Sequence, residues 1–169
     1  VLYVYENGLM NGTQADRFEP YAATTRGMIV TMLYRMENEP SVPGKAPFTD
    51  VRAGSYYEKA VAWAAANGIV TGVSADRFAP DAGITREQLA AILHRYAAYR
   101  GMQTPEHPDA LLGFADRASV SSYAVKAMQW AVGEGLVQGS AGWLTPGGSA
   151  SRAQVAAMVH RFCEGNSER

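Results

Sequence analysis

Three arginines carry the chemistry this sequence advertises. Arg26, Arg86 and Arg152 each follow a Thr or Ser (Thr25, Thr85, Ser151) of the kind that caps a helix, so each opens a helix at its first turn. A cation there opposes the helix dipole by a few tenths of a kcal/mol up to about 1. Its repetition asks for a compensating anion. A free helix N-terminus with a guanidinium beside it makes a receptor for a carboxylate, because backbone donors and a bidentate fork converge on one point. A structural bridge to Asp50, Asp76 or Asp116 is the other way to satisfy the charge.

Other reactive side chains offer less. His94 and His160 occupy one repeat position that holds Tyr34 in another copy, and His107 lies in a Pro-flanked linker. None has metal-ligand spacing. The single cysteine, Cys163, forms no disulfide within the chain and excludes a four-cysteine zinc site. No nucleophile elbow and no glycine-rich phosphate loop is present. Paired acids for glycoside cleavage stay open on sequence alone, although every repeating acid has a structural or binding explanation. No catalytic residue, metal or cofactor is therefore expected.

The elements that must position the arginines come in copies. Gly68-Ile69-Val70-Thr71-Gly72 recurs as Gly8-Leu9-Met10-Asn11-Gly12 and Gly135-Leu136-Val137-Gln138-Gly139. Asp76-Arg77-Phe78-Ala79-Pro80 matches Asp16-Arg17-Phe18-Glu19-Pro20, and degenerates to Gly142-Trp143-Leu144-Thr145-Pro146. Phe48-Thr49-Asp50 pairs with Phe114-Ala115-Asp116, and Trp63 with Trp130. Ordered matches of this number define a tandem repeat. Each full unit predicts helix, loop, helix. The first helix of the second unit is expected over residues 55–67, stopped by Gly68 as a positive-φ residue with apolar Ile69 after it. The second helix starts at Thr85, with Thr85-x-x-Gln88 and Ser151-x-x-Gln154 as capping boxes and Thr25-x-x-Met28 as half of one. Leu89, Ile92, Leu93 and Tyr96 then form an apolar stripe repeated in all copies. Two short helices cannot bury such stripes alone, so the copies must share one core.

Composition agrees with a folded domain and narrows its partners. The 169 residues carry a net charge of −1, with 47% hydrophobic and 18% charged residues, so there is no basic field to hold a nucleic acid. The longest apolar runs, such as residues 60–66, are far short of a membrane span. The chain opens on Val1 without Met and reads as a piece of a longer protein, and its first copy lacks the aromatic-x-Asp opening.

Together these motifs resemble the S-layer homology (SLH) module: the aromatic-x-Asp opening, the Trp-bearing helix, Gly-[Ile/Leu/Val]-x-x-Gly, Asp-x-x-Phe-x-Pro and Ile-Thr-Arg. The second copy is the fullest match. Two departures stand out: Met28, Gln88 and Gln154 replace the Glu usual in Thr-Arg-Ala-Glu, and the third copy loses Asp-x-x-Phe. The resemblance implies an all-α, pseudo-threefold assembly of repeats at residues 1–40, 41–104 and 105–169 around shared central helices. It also implies non-covalent anchoring of an exported bacterial surface protein to an anionic secondary cell-wall polysaccharide, often carrying pyruvate ketals. The glycan would lie in grooves between repeats, at the cell wall or S-layer, without membrane insertion. Arg26, Arg86 and Arg152 would contact its acidic group. Asp50 and Asp116 would accept from sugar hydroxyls or else cap a helix or brace a loop, Tyr56 and Tyr123 would wall the groove, and Gly12, Gly72 and Gly139 would allow close approach of ligand or a neighbouring helix. Trp63 and Trp130 fit a core wedge better than a sugar platform. With the first opening missing, fewer than three working grooves are expected. The rival reading from the same residues is a protein-interaction or self-assembly module of a surface layer.

Overall fold

Among the described residues six α-helices form on the expected stripes: α1 (Leu2–Glu6), α2 (Arg26–Met36), α3 (Glu58–Ala66), α4 (Arg86–Tyr99), α5 (Val125–Gly133) and α6 (Arg152–Glu164). The computed structural model describes residues 2–10, 17–42 and 44–165. Within them the fold is all-α, with only isolated bridges between extended residues.

Capping follows the sequence closely. Thr85 with Gln88 and Ser151 with Gln154 form complete capping boxes, and Thr25 accepts only from the Met28 amide. Gly68, at φ +67°, ends α3. The Ile69 amide reaches Ala64 O at 2.8 Å and the Gly68 amide reaches Ala65 O at 3.1 Å, the paired bonds of a Schellman stop. The start of α3 is later than the expected residue 55. Ser55 Oγ donates back to Arg52 O at 2.7 Å instead of capping the helix, and the chain makes one more turn before Glu58.

The second helix of each copy packs on the first helix of the next: α2 on α3, α4 on α5, and α6 on α1. One repeat position supplies the contact each time. Tyr34 meets Trp63 at a ring-centroid distance of 5.6 Å, His94 meets Trp130 at 5.2 Å, and His160 meets Tyr3 at 4.4 Å. Trp63 and Trp130 are buried at 3% and 4% exposure, so both are core wedges between copies. Tyr3 stands where Trp63 and Trp130 do. Tyr96 and Phe162 pack at 5.7 Å where α4 approaches α6, and the Tyr96 hydroxyl donates to Glu37 Oε1 at the end of α2. Burial, with the Glu37 carboxylate beside it, holds that phenol far above its ordinary pKa.

The ends of the loops before α2, α4 and α6 close a ring of backbone hydrogen bonds. The Thr24 amide donates to Ala150 O at 3.1 Å, the Ala150 amide to Ile84 O at 2.9 Å, and the Ile84 amide to Thr24 O at 2.8 Å. All three residues are 0–1% exposed. Bridges Ala23 to Ser151, Thr25 to Gly83 and Thr85 to Ser149 flank the ring. Each bond joins a different pair of copies, so no copy can leave without breaking two. The amides of Thr24, Ile84 and Ala150 should therefore exchange with deuterium only through global unfolding, with one common protection free energy equal to the stability from denaturant titration. Unequal protection, with one of the three opening early, would show that the ring opens copy by copy.

Candidate ligand-binding clefts

The first-turn arginines are not in front of free helix ends. The first two amides of each helix are already taken by carbonyls of a neighbouring copy. Arg26 N donates to Ala82 O at 3.0 Å and Gly27 N to Pro80 O at 2.8 Å; Arg86 N donates to Gly148 O at 3.1 Å and Glu87 N to Pro146 O at 3.0 Å. Arg152 N and Ala153 N reach Ala22 O and Pro20 O, both at 2.9 Å. The expectation of exposed N-terminal amides as part of an anion receptor is thus corrected: the orphan donors of a helix start are satisfied across the interface.

Carbonyls also hold the guanidiniums. Arg26 Nε donates to Phe78 O at 2.8 Å and its terminal nitrogen to Thr71 O at 3.2 Å, with the guanidinium 4.6 Å over the Phe78 ring. Arg152 repeats this, with Nε on Phe18 O at 2.8 Å and the guanidinium 4.5 Å over Phe18. In the third loop Leu144 replaces the phenylalanine. Arg86 there lies half-buried, with one terminal nitrogen 3.3 Å from Thr145 O. Burial lowers the pKa of Arg26 and Arg152, yet a guanidinium remains charged at neutral pH. The bridge to Asp50, Asp76 or Asp116 does not form. Among the described residues neither Arg26 nor Arg86 has a carboxylate within ion-pair distance.

Asp50 and Asp116 brace the loops that carry those carbonyls. Asp50 accepts from the amides of Phe78 and Ala79, both at 2.8 Å, and Asp116 from Leu144 at 2.8 Å and Thr145 at 2.7 Å. Ala79 and Thr145 sit at φ +56° and +50°, each directly before a proline, as does Glu19 at +52°. An L-residue pays a penalty in that region, and the carboxylate holding its amide offsets it. Burial alone would raise the Asp50 pKa, but the two amides and Arg77 at 3.7 Å outweigh it and hold the carboxyl below its ordinary value. The Leu144 amide depresses Asp116 in the same way.

Gly72 and Gly139 lie inside the turns. A Cβ on Gly72 would fall 2.5 Å from Arg77 O and 2.9 Å from the Phe48 ring, and one on Gly139 would fall 2.5 Å from the Phe114 ring. The surface they approach is their own unit's loop and opening aromatic. Gly12 lies outside the described residues.

Around each arginine the copies leave an open cleft. The first, about 280 Å³, is lined by Arg26, by Gly72 of the next copy, by Gln88 and Arg95 of α4, and by Tyr123. The second, about 220 Å³, has Arg86 with Gly139, Trp143, Gln154 and Arg161. The third, also about 220 Å³, has Arg152 with Met10, Met28, Met32, Arg35 and Tyr56. Tyr56 and Tyr123 stand 58% and 53% exposed at two of these mouths.

The profile of the S-layer homology domain matches residues 47–90 and 113–156. The chain belongs to the S-layer homology domain family. That membership makes it a cell-surface anchoring module of the SLH kind. An endoglucanase from Bacillus sp. (strain KSM-635) is 33% identical over 92% of this chain and 16% of its own length. An amylopullulanase from Thermoanaerobacterium thermosulfurigenes is 30% identical over 92% of this chain and 8% of its own. The surface-layer 125 kDa protein of Lysinibacillus sphaericus is 32% identical over 79% of this chain and 11% of its own. This SLH chain thus spans only a small part of the curated relatives it matches.

Several cleft residues of the SLH module escape a motif reading. Arg35, Arg95 and Arg161 recur nine positions after Arg26, Arg86 and Arg152, a register visible in the sequence. Glu87, at 7% exposure, accepts from Ser121 N at 2.9 Å and Ser121 Oγ at 2.8 Å, and lies 3.4 Å from the Tyr123 hydroxyl. It ties the segment that carries Tyr123 to the start of α4. Burial and this carboxylate raise the Tyr123 phenol. Gly27 stands in the corresponding place in the first copy, leaving room for Tyr57, where the third copy has Ala124. Among the described residues no group of three or more His, Cys, Asp or Glu is placed to hold a metal, and no helix is long and apolar enough to cross a membrane.

Because Asp50 titrates below its unfolded value, the stability it adds is present above the unfolded pKa near 4 and is lost as pH falls through the folded one. Asp50→Asn should cost about 1 kcal/mol at pH 7 and flatten the acid limb of stability in urea melts. An unchanged limb would remove its role as the brace. Gly139→Ala should cost several times more, about 3 kcal/mol, since both positive φ and the Phe114 ring oppose it.

Proposed function

We propose that this SLH chain anchors a bacterial surface protein by binding an anionic secondary cell-wall polysaccharide in the clefts between copies, outside the cell and within the wall or S-layer. In this reading the chain is a binding module without catalysis of its own, and the larger protein's activity resides elsewhere. The observation that supports it most is the first cleft. Arg26 and Arg95 line one wall system with Tyr123 at the mouth, and neither arginine has a carboxylate partner among the described residues. Two uncompensated guanidiniums beside an exposed aromatic suit an acidic group carried on a sugar, such as a pyruvate ketal. Arg26 is pinned at one edge to Phe78 O and Thr71 O, so it presents a charge whose position is already set. A surface-layer protein and two polysaccharide-acting enzymes among the relatives fit an attachment role for the segment they share with this chain.

Arg95 is the cleaner probe, because among the described residues its side chain makes no ion pair that holds the fold. Arg95→Ala should weaken binding to purified, protein-free cell-wall polysaccharide roughly tenfold. Its melting should stay within about 0.5 kcal/mol of the parent. Binding should also weaken with salt and on removal of the acidic substituent. Undiminished affinity in Arg95→Ala, or equal affinity for a neutral glycan, sinks the reading. Failure to bind cell walls together with tight self-association would transfer the clefts to protein assembly.

A further inference from the structure

The three clefts are built on one plan, but the second departs from it in a way the fold does not explain. Where the other copies have Arg17 and Arg77, the third has Trp143. In the second copy Arg77 pairs with Asp50 at 3.7 Å. The corresponding residue, Asp116, keeps its two loop amides, but an indole stands where the guanidinium would be, so the exchange gives up an ion pair. Nothing in the core replaces it. Trp143 is 55% exposed, whereas Leu144 beside it is 1% exposed and fills the interior position. Trp143 makes no ring contact with any described residue.

The backbone nevertheless fixes where the indole stands. Ser140 N donates to Trp143 O at 2.8 Å and Trp143 N to Ser140 O at 2.9 Å, closing a two-residue turn with Ala141 and Gly142 at φ +48° and +79°. In the second copy the loop is longer and closes from Val73 and Ser74 to Arg77. The shorter turn brings Trp143 to the wall of the cleft that also holds Arg86 and Arg161. Arg161 is oriented there by Leu136 O at 3.3 Å and Gln138 Oε1 at 3.2 Å. Unlike the Arg26 and Arg152 clefts, this one has no tyrosine among its lining residues.

We infer that Trp143 is the sugar-ring platform of the Arg86 cleft, stacking on the apolar face of a pyranose whose acidic substituent points to Arg86 and Arg161. An indole offers the largest apolar face of any side chain, and an aromatic face suits the C–H side of a sugar. The cleft then selects the carbohydrate ring as well as its charge. This assignment rests on the anchoring reading and adds a residue to it.

Trp63 and Trp130 are buried, so Trp143 dominates the fluorescence accessible to acrylamide. Titration with pyruvylated cell-wall polysaccharide fragments should shift the emission to the blue and protect it from acrylamide, and free pyruvate at matched concentration should do neither. Trp143→Ala should abolish the protection and weaken binding about tenfold at this cleft, with Trp143→Tyr recovering most of it. Trp143→Arg, which restores the residue type of the other copies, should behave as Trp143→Ala does. Polysaccharide binding with unchanged quenching and full affinity in Trp143→Ala overturns the platform and leaves the anchor reading intact. Protection by pyruvate alone overturns it too, since charge would then suffice. Absence of any binding by the parent chain overturns both.

Discussion

Everything in this molecule depends on a closed triangle of three backbone hydrogen bonds, Thr24 to Ala150 to Ile84 and back to Thr24. A triangle of this kind fixes the distance and rotation between copies without any side chain. Each helix start then falls beside the loop of the next copy, close enough for its first two amides to take that loop's carbonyls. The same registration brings each first-turn arginine over the loop, where Arg26 and Arg152 add a stacked guanidinium to the seam. A cation at a helix start is unfavourable in isolation. Here its neighbours are carbonyl oxygens, and the seam converts an electrostatic fault into an inter-copy bond.

Architecture and binding surface are therefore not separate layers. The inner edge of Arg26 bonds to Phe78 O and Thr71 O while the residue also lines a cleft. Gly72 admits the loop's own carbonyls and the Phe48 ring, and the same loop forms the cleft wall. Asp50 and Asp116 spend both oxygens on amides, which keeps the loop in its strained turn before the proline. Their role lies one step behind the surface. The first-turn arginines of these sites are preset, because Arg26 and Arg152 are already bonded across copies.

What the sequence revealed follows a physical line. Caps, glycine stops and apolar stripes are local patterns, so Thr85, Gln88, Gly68 and the buried Trp63 were all legible from spacing. The family resemblance was legible for the same reason. Cross-copy bonds to carbonyls were not, since a main-chain oxygen has no residue signature: nothing in the letters says that Gly27 N meets Pro80 O. That is why the helix starts looked available to an anion when they were not. The second arginines, Arg35, Arg95 and Arg161, did leave a signal in their repeat register. Trp143 left one as well, hidden because a degenerate motif invites attention to what it has lost.

The seam between the last helix and the first loop closes over a long stretch of chain. Arg152 Nε reaches Phe18 O across 134 residues. Chain closure of that span carries a large entropic cost before any bond rewards it. During synthesis residues 17–24 thus wait with most of their cross-copy partners still unmade, and they cannot lock until residues 150–153 arrive. Two adjoining copies are a partial seam, and only the third turns them into a ring. This order makes α6 a latch: the ring closes when the start of α6 docks on the loop of the first copy.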